Sequence, residues 1–182
     1  VKSETYKEAL QKLDLSYNIV ANLPYQITSR FLRSILEDMP RPSTLVVMVQ
    51  KEVAERATAP AGEMSLLSLA VQAYSSAHIV EIVKAAAFYP QPEVYSAVLS
   101  CDLHTPNPEY TALSFEERDF FWRLAKAGFA SRRKQLKNNL ANVLQYKTIY
   151  QIVAVLASIC LSSTVRAQEL SVSQWCALVG AV

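Results

Sequence analysis

Asn22-Leu23-Pro24-Tyr25 joins four residue types with separate chemical uses. The Asn22 side chain and a backbone carbonyl near Leu23 are oxygen acceptors. Together they can take both N–H groups of an exocyclic amine, orient its lone pair, and stabilise the positive charge that develops as the nitrogen is alkylated. Pro24 makes a carbonyl-exposing turn with no competing N–H. The Tyr25 ring offers a face on which a flat base can stack. No strong base is needed, because an alkylated nitrogen loses its proton readily. The string therefore suits methyl transfer to an exocyclic amine. It also reads as an ordinary strand-to-helix turn with a buried tyrosine.

Two other segments could serve the same chemistry. Phe88-Tyr89-Pro90-Gln91-Pro92, running on through Glu93 to Val98, is an aromatic-rich loop stiffened by two prolines. Held at a sheet edge, its Phe88 could clamp a flipped base from the other side; the alternative is a hairpin loop packing Phe88 into the core. Ser131-Arg132-Arg133-Lys134-Gln135-Leu136-Lys137 concentrates Arg132, Arg133, Lys134 and Lys137 in one stretch of helical pattern, with Leu136 and Leu140 on its apolar side. Such cations can track a phosphate backbone, or form a solvated helix face. Lys51-Glu52-Val53-Ala54-Glu55-Arg56 has charges at i,i+4 spacing and reads as an exposed helix face.

The elements that must position these residues follow from periodicity. Tyr17–Asn22 is a short buried strand, placing Asn22 at its C-terminal end, where α/β sheets hold ligands. Thr28 or Ser29 can cap a helix to about Asp38, with Phe31, Leu32, Ile35 and Leu36 on one face. Thr44–Gln50 is a buried β-branched strand, and Lys51–Thr58 and Met64–Tyr74 are helical. Ala77–Val83 and Val94–Leu103 are strands expected to pair. Beyond Pro106 and Pro108 the pattern is helical throughout, at roughly Phe115–Phe129, Arg132–Leu144, Ile149–Leu156 and Ser171–Val179. The expected architecture is α/β: part of a doubly wound sheet ending in an antiparallel hairpin over residues 1–106, then a helical domain over 107–182.

Composition excludes several classes. Hydrophobic residues make up 51% and charged residues 19%, a globular balance. The net charge of +2 means that any nucleic-acid signal must be local. Cys101, Cys160 and Cys176 lack metal-type spacing and read as reduced thiols of an intracellular protein. No metal site is expected from His78 or His104. The apolar run Ile149–Leu161 is too short to span a bilayer and contains Gln151 and Ser158, so no membrane association is expected.

Taken together, Val20–Tyr25, Val49–Arg56, Phe88–Val98, Ala127–Leu140 and Arg166–Leu170 resemble, in order and spacing, the ribosomal RNA adenine N6-dimethyltransferase family. The resemblance implies a Rossmann-like class I methyltransferase sheet, an S-adenosylmethionine donor, an adenine N6 target and a helical C-terminal domain that helps hold RNA. It assigns Asn22, Leu23, Pro24 and Tyr25 to the amine-binding motif and Phe88 to stacking on the target base. The basic stretch and Arg166-Ala167-Gln168-Glu169-Leu170 resemble the housekeeping branch, which dimethylates two adjacent adenosines in the 3′-end hairpin of small-subunit rRNA. The implied partner is small-subunit rRNA within an immature subunit. A monomer in the cytoplasm is expected, although organelles also host the family.

The donor side departs from the family. A glycine-rich turn and an acidic residue for the ribose are required. This chain has only Gly62, Gly128 and Gly180, no two of them close. Apart from Asn22, the cofactor site is expected to lie in a half upstream of Val1, which opens on a helical pattern, Thr5 to Leu13. The strand ending at Asn22 resembles the family's fourth, and the chain alone is expected to be inactive and to bind donor weakly or not at all. Two other readings remain: a non-catalytic RNA-binding assembly or transcription factor of the same descent, and a resistance methylase acting on large-subunit rRNA.

Overall fold

The computed structural model describes residues 17–37 and 41–182. The helical pattern from Thr5 to Leu13, and the Asp38 end of the next helix, lie outside them. Among the described residues, four strands form one sheet: β1 (Asn18–Asn22), β2 (Thr44–Gln50), β3 (Ser76–Val83) and β4 (Ser96–Asp102), in the order β1-β2-β4-β3. β1 and β2 are parallel, joined through α1 (Thr28–Glu37), with Asn22 opposite Met48. β4 runs antiparallel to both β2 and β3. α2 (Lys51–Ala57) and α3 (Leu66–Tyr74) connect β2 to β3.

Register explains the core. Directly opposed residues share a face, so Leu45 meets Cys101, Val47 meets Leu99 and Val49 meets Ala97. All six are fully buried. Each larger aliphatic side chain contributes about 1.5–3 kcal/mol on leaving water. Leu32 and Leu36 of α1 are also fully buried, whereas Phe31 and Ile35 on the same face are half-buried. The expected cap is not formed: the Thr28 hydroxyl donates back to the Pro24 carbonyl at 3.4 Å, because a single 3-10 turn, Tyr25–Ile27, precedes the helix.

The chain clusters into two compact units. One holds the described residues up to Thr58 together with Ala70–Pro106; the other holds Ala59–Leu69 and Asn107–Val182. Ala59–Leu69 therefore leaves the first domain in which the sequence placed it. The Gly62 and Met64 N–H groups both donate to the Gln168 carbonyl, at 2.8 and 3.1 Å, tying this segment to the helical unit.

The second unit contains α4 (Pro108–Ala112), α5 (Phe115–Phe129), α6 (Leu136–Leu140), α7 (Ile149–Ser158) and α8 (Val172–Ala181). Ser114 with Glu117, Thr148 with Gln151, and Ser171 with Gln174 form capping boxes that start α5, α7 and α8. The expected helix Arg132–Leu144 is mostly absent. Residues 130–134 form a turn, and α6 covers only Leu136–Leu140. Two long-range contacts outweigh the helical propensity of the basic run: Leu136 N–H donates to the Val165 carbonyl at 2.7 Å, and the buried Asn139 amide donates to the carbonyls of Gly128 and Ser131 at 2.6 and 3.1 Å.

The thiols have three different settings. Burial pushes Cys101 up to about 11 and Cys176 up to about 12, with Glu109 adding to the second and a Ser75 hydrogen bond opposing the first. Cys160 is exposed and closes α7 with φ 59°, its N–H donating to Ala157 and that of Leu161 to Leu156. Alkylation at pH 8 should thus label Cys160 alone in the native chain, and all three thiols after denaturation, as read by mass spectrometry. The folded state holds its Cys101 and Cys176 protons above the ordinary value of 9.0, so stability should fall as pH rises from about 9 through 11 and 12.

Candidate target-base site

β1 ends at Asn22, and the chain turns where its last N–H, that of Leu23, donates to the Met48 carbonyl at 3.4 Å. Leu23 buries its side chain, which fixes the turn, and Pro24 then starts the 3-10 turn. The carbonyl that Pro24 exposes is taken by Ile27 N–H at 3.1 Å and by the Thr28 hydroxyl. Among the described residues no donor reaches the Leu23 carbonyl, and the exposed Asn22 side chain has no hydrogen-bond partner. Among the described residues, then, both acceptors named from the sequence lack a partner.

Tyr25 is held from a distance in sequence. Its phenol oxygen lies 2.8 Å from the Oγ of Ser96, a fully buried residue that opens β4. Phe88 follows a 3-10 turn, Ala85–Ala87, and its N–H donates to the Ala85 carbonyl at 3.2 Å. Asn22, Leu23, Pro24, Tyr25 and Phe88 line one cavity of about 330 Å³. The structure brings together all the predicted amine-binding and base-stacking residues, because β1, β2 and β4 present neighbouring ends. The volume lies within the ~300–1,000 Å³ of small-ligand sites.

Ser96 was not singled out from the sequence, although a hydroxyl at a buried strand position is a signal that it has a partner. Its role predicts coupling. Tyr25→Phe and Ser96→Ala should each destabilise by about 1 kcal/mol, and the double variant by scarcely more than either. Denaturant titration of the four proteins measures this, and simple additivity would exclude the bond.

The cationic residues lie in the second unit. Arg132, Arg133 and Lys134 are exposed on the turn, where with Ser131 they line a cavity of about 270 Å³. Lys137 is half-buried in α6. Asn139, also missed from the sequence, shapes this turn through its two carbonyl contacts. A polar residue between Leu136 and Leu140 on an apolar face was the available signal. Lys51 and Arg56 pair with Glu55 and Glu52 at 3.2 and 3.9 Å on the surface of α2, as their spacing predicts.

The described residues do not fit a complete donor site. No glycine lies in the sheet unit. Gly128 is packed against Trp175, and Gly62 and Gly180 belong to the helical unit. Among the described residues no glycine-rich turn forms a backbone cradle for a methionine moiety. Among the described residues no three His, Cys, Asp or Glu side chains gather to hold a metal.

The parallel crossover, the antiparallel hairpin and the cavity at the strand ends fit the later part of a Rossmann-like methyltransferase sheet, with an all-helical unit in addition. Solved structures that share this fold include two methyltransferases. The chain is similar to a dimethyladenosine transferase from Plasmodium falciparum, with TM-score 0.72 and 23% identity over 89% of this chain and 65% of that one. It is also similar to the 23S rRNA methyltransferase ErmE, with TM-score 0.70 and 18% identity over 98% and 78%. The sequence model described as ribosomal RNA adenine dimethylase matches residues 1–180, and the chain belongs to that family. Among its relatives are ribosomal RNA small subunit methyltransferase A of Dehalococcoides mccartyi strain CBDB1, 40% identical over 94% of this chain and 57% of the relative, and that of Bacillus pumilus, 39% identical over 88% and 55%. The chain thus spans a little over half the length of these relatives.

Proposed function

We propose that these residues form the acceptor side of an rRNA adenine N6,N6-dimethyltransferase acting on two adjacent adenosines near the 3′ end of small-subunit rRNA. The observation that carries this reading is the shared cavity of Asn22–Tyr25 and Phe88. An adenine flipped into it stacks on Tyr25 and Phe88. Its N6 hydrogens donate to the Asn22 side-chain oxygen and the Leu23 carbonyl, which steadies the lone pair and the charge that grows on nitrogen. The proton then leaves to solvent. S-adenosylmethionine supplies the methyl group, and its cradle requires residues beyond those described. Arg132, Arg133, Lys134 and Lys137 contact phosphates of the immature small subunit. The protein acts as a monomer in the cytoplasm; no helix among the described residues is long and apolar enough to cross a membrane.

A second reading is a protein of the same family that binds rRNA without methylating it. The fold shared with the large-subunit methylase favours a third. Labelled-methyl transfer by the protein carrying its donor-binding half separates them. Two methyl groups on each of two adenosines in immature small subunits support the proposal. Label in large-subunit rRNA supports the third reading, and RNA binding without label supports the second.

A further inference from the structure

A second cavity, also about 330 Å³, has no part in the reaction as proposed. It is lined by Gln50, Lys51, Glu52, Glu55, Val94 and Tyr95. We infer that it is a subsite for the nucleotide next to the target adenosine, with that nucleotide's base stacked on the Tyr95 ring. This rests on the target-base reading above.

Three observations support it. First, Tyr95 and Val94 are 49% and 43% exposed, so a flat apolar platform faces solvent. The platform is fixed at its root, where the Tyr95 carbonyl accepts the Lys51 N–H at 2.9 Å. Second, one residue links the two linings. Ser96 is paired with Gln50 of the second cavity and hydrogen-bonded to Tyr25 of the first. Ser96 thus ties Tyr25 to the segment that carries Tyr95, and aromatic side chains placed in succession are how proteins hold successive bases of a splayed strand. Third, the polar groups suit a base better than a phosphate. Glu52 and Glu55 bring carboxylates, paired with Arg56 at 3.9 Å and with Lys51 at 3.2 Å, so Lys51, the cation in this lining, is engaged by Glu55. Carboxylates repel phosphate and accept from amino groups on base edges. The subsite therefore takes an amino-bearing base in preference to uracil, and the second of two adjacent adenosines meets that requirement.

The test measures equilibrium binding of hairpin RNAs carrying one loop adenosine. The nucleotide on either side is left intact, replaced by uridine, or made abasic. For the wild-type chain, an abasic neighbour on one side should weaken binding about 10-fold, with uridine giving a smaller loss. Tyr95→Ala should bind intact RNA about 10-fold more weakly and become indifferent, within about 2-fold, to that neighbour. Tyr95→Phe should behave as wild type. If Tyr95→Ala keeps full sensitivity to the neighbour, or loses affinity equally for intact and abasic RNA, the subsite is overturned. Making the loop adenosine itself abasic, in wild type and Phe88→Ala, is the parallel experiment for the target-base reading. If that pair couples and the Tyr95 pair does not, the subsite alone fails; if neither couples, or no RNA binds, both fail.

Discussion

Asn22→Ala, in the protein carrying its donor-binding half, should lower methylation turnover about 100- to 1,000-fold, the usual effect of losing one preorganised polar group at a developing charge. RNA affinity should change less than about 2-fold. The split follows from where the side chain sits. Asn22 ends β1 at the rim of the target-base cavity, is exposed, and has no hydrogen-bond partner among the described residues. Removing it should therefore disturb no packing and leave the proposed stacking of the base on Tyr25 and Phe88 intact. What is lost is an oxygen that matters most when N6 becomes positive, an interaction stronger in the transition state than in the ground state. Single-turnover methylation alongside equilibrium RNA binding measures both quantities. Equal losses in the two would remove the amine-orienting role from Asn22.

Gly128→Ala should destabilise the protein by about 2 kcal/mol, against the usual sign for this substitution in a helix. Alanine in a helix interior is ordinarily favoured over glycine by about 1 kcal/mol. At Gly128, however, an added Cβ would lie 2.5 Å from Trp175 Cη2 and 3.0 Å from Leu136 Cδ1. Both side chains are fully buried, so neither can swing away. Overpacking of this kind costs about 1–3 kcal/mol and more where the neighbours cannot yield. Gly180→Ala is the internal control: it lies in α8 with nothing within 4 Å of the new Cβ, and should raise stability by up to about 1 kcal/mol. Urea titration of the three proteins compares their midpoints. An unchanged midpoint for Gly128→Ala would show that α5 and α8 are not packed as closely as described.

Gly128 also shows how one residue type can be read in two ways. The glycine count bore on one question, whether a glycine-rich turn could lie within this chain. It gave no hint that one glycine is a close-packing position, because nothing local marks residue 128 as facing residue 175. The basic run shows the same limit. Arginine, lysine, glutamine and leucine are good helix formers, so Arg132–Leu144 read as a helix. The chain instead turns at 130–134, where the Asn139 amide holds the carbonyls of Gly128 and Ser131 and Val165 anchors Leu136. These partners come from elsewhere in the helical unit.

The sequence by itself determined what depends on neighbours along the chain. The β-branched run Thr44–Gln50 could bury itself only as a strand, and Asn22 had to stand at a strand end. The cap-and-acceptor pairs Ser114/Glu117, Thr148/Gln151 and Ser171/Gln174 mark helix starts. The order and spacing of Asn22–Tyr25, Phe88–Val98 and Ala127–Leu140 carried the family. Only the tertiary structure decided that Phe88 and Asn22 share a cavity, that buried Ser96 holds the Tyr25 hydroxyl, that Ala59–Leu69 joins the helical unit, and that Tyr95 faces a second cavity. The physical reason is range. Periodicity and capping act within a turn or a strand, whereas these contacts depend on β1, β2 and β4 aligning their ends and on single hydrogen bonds between distant segments.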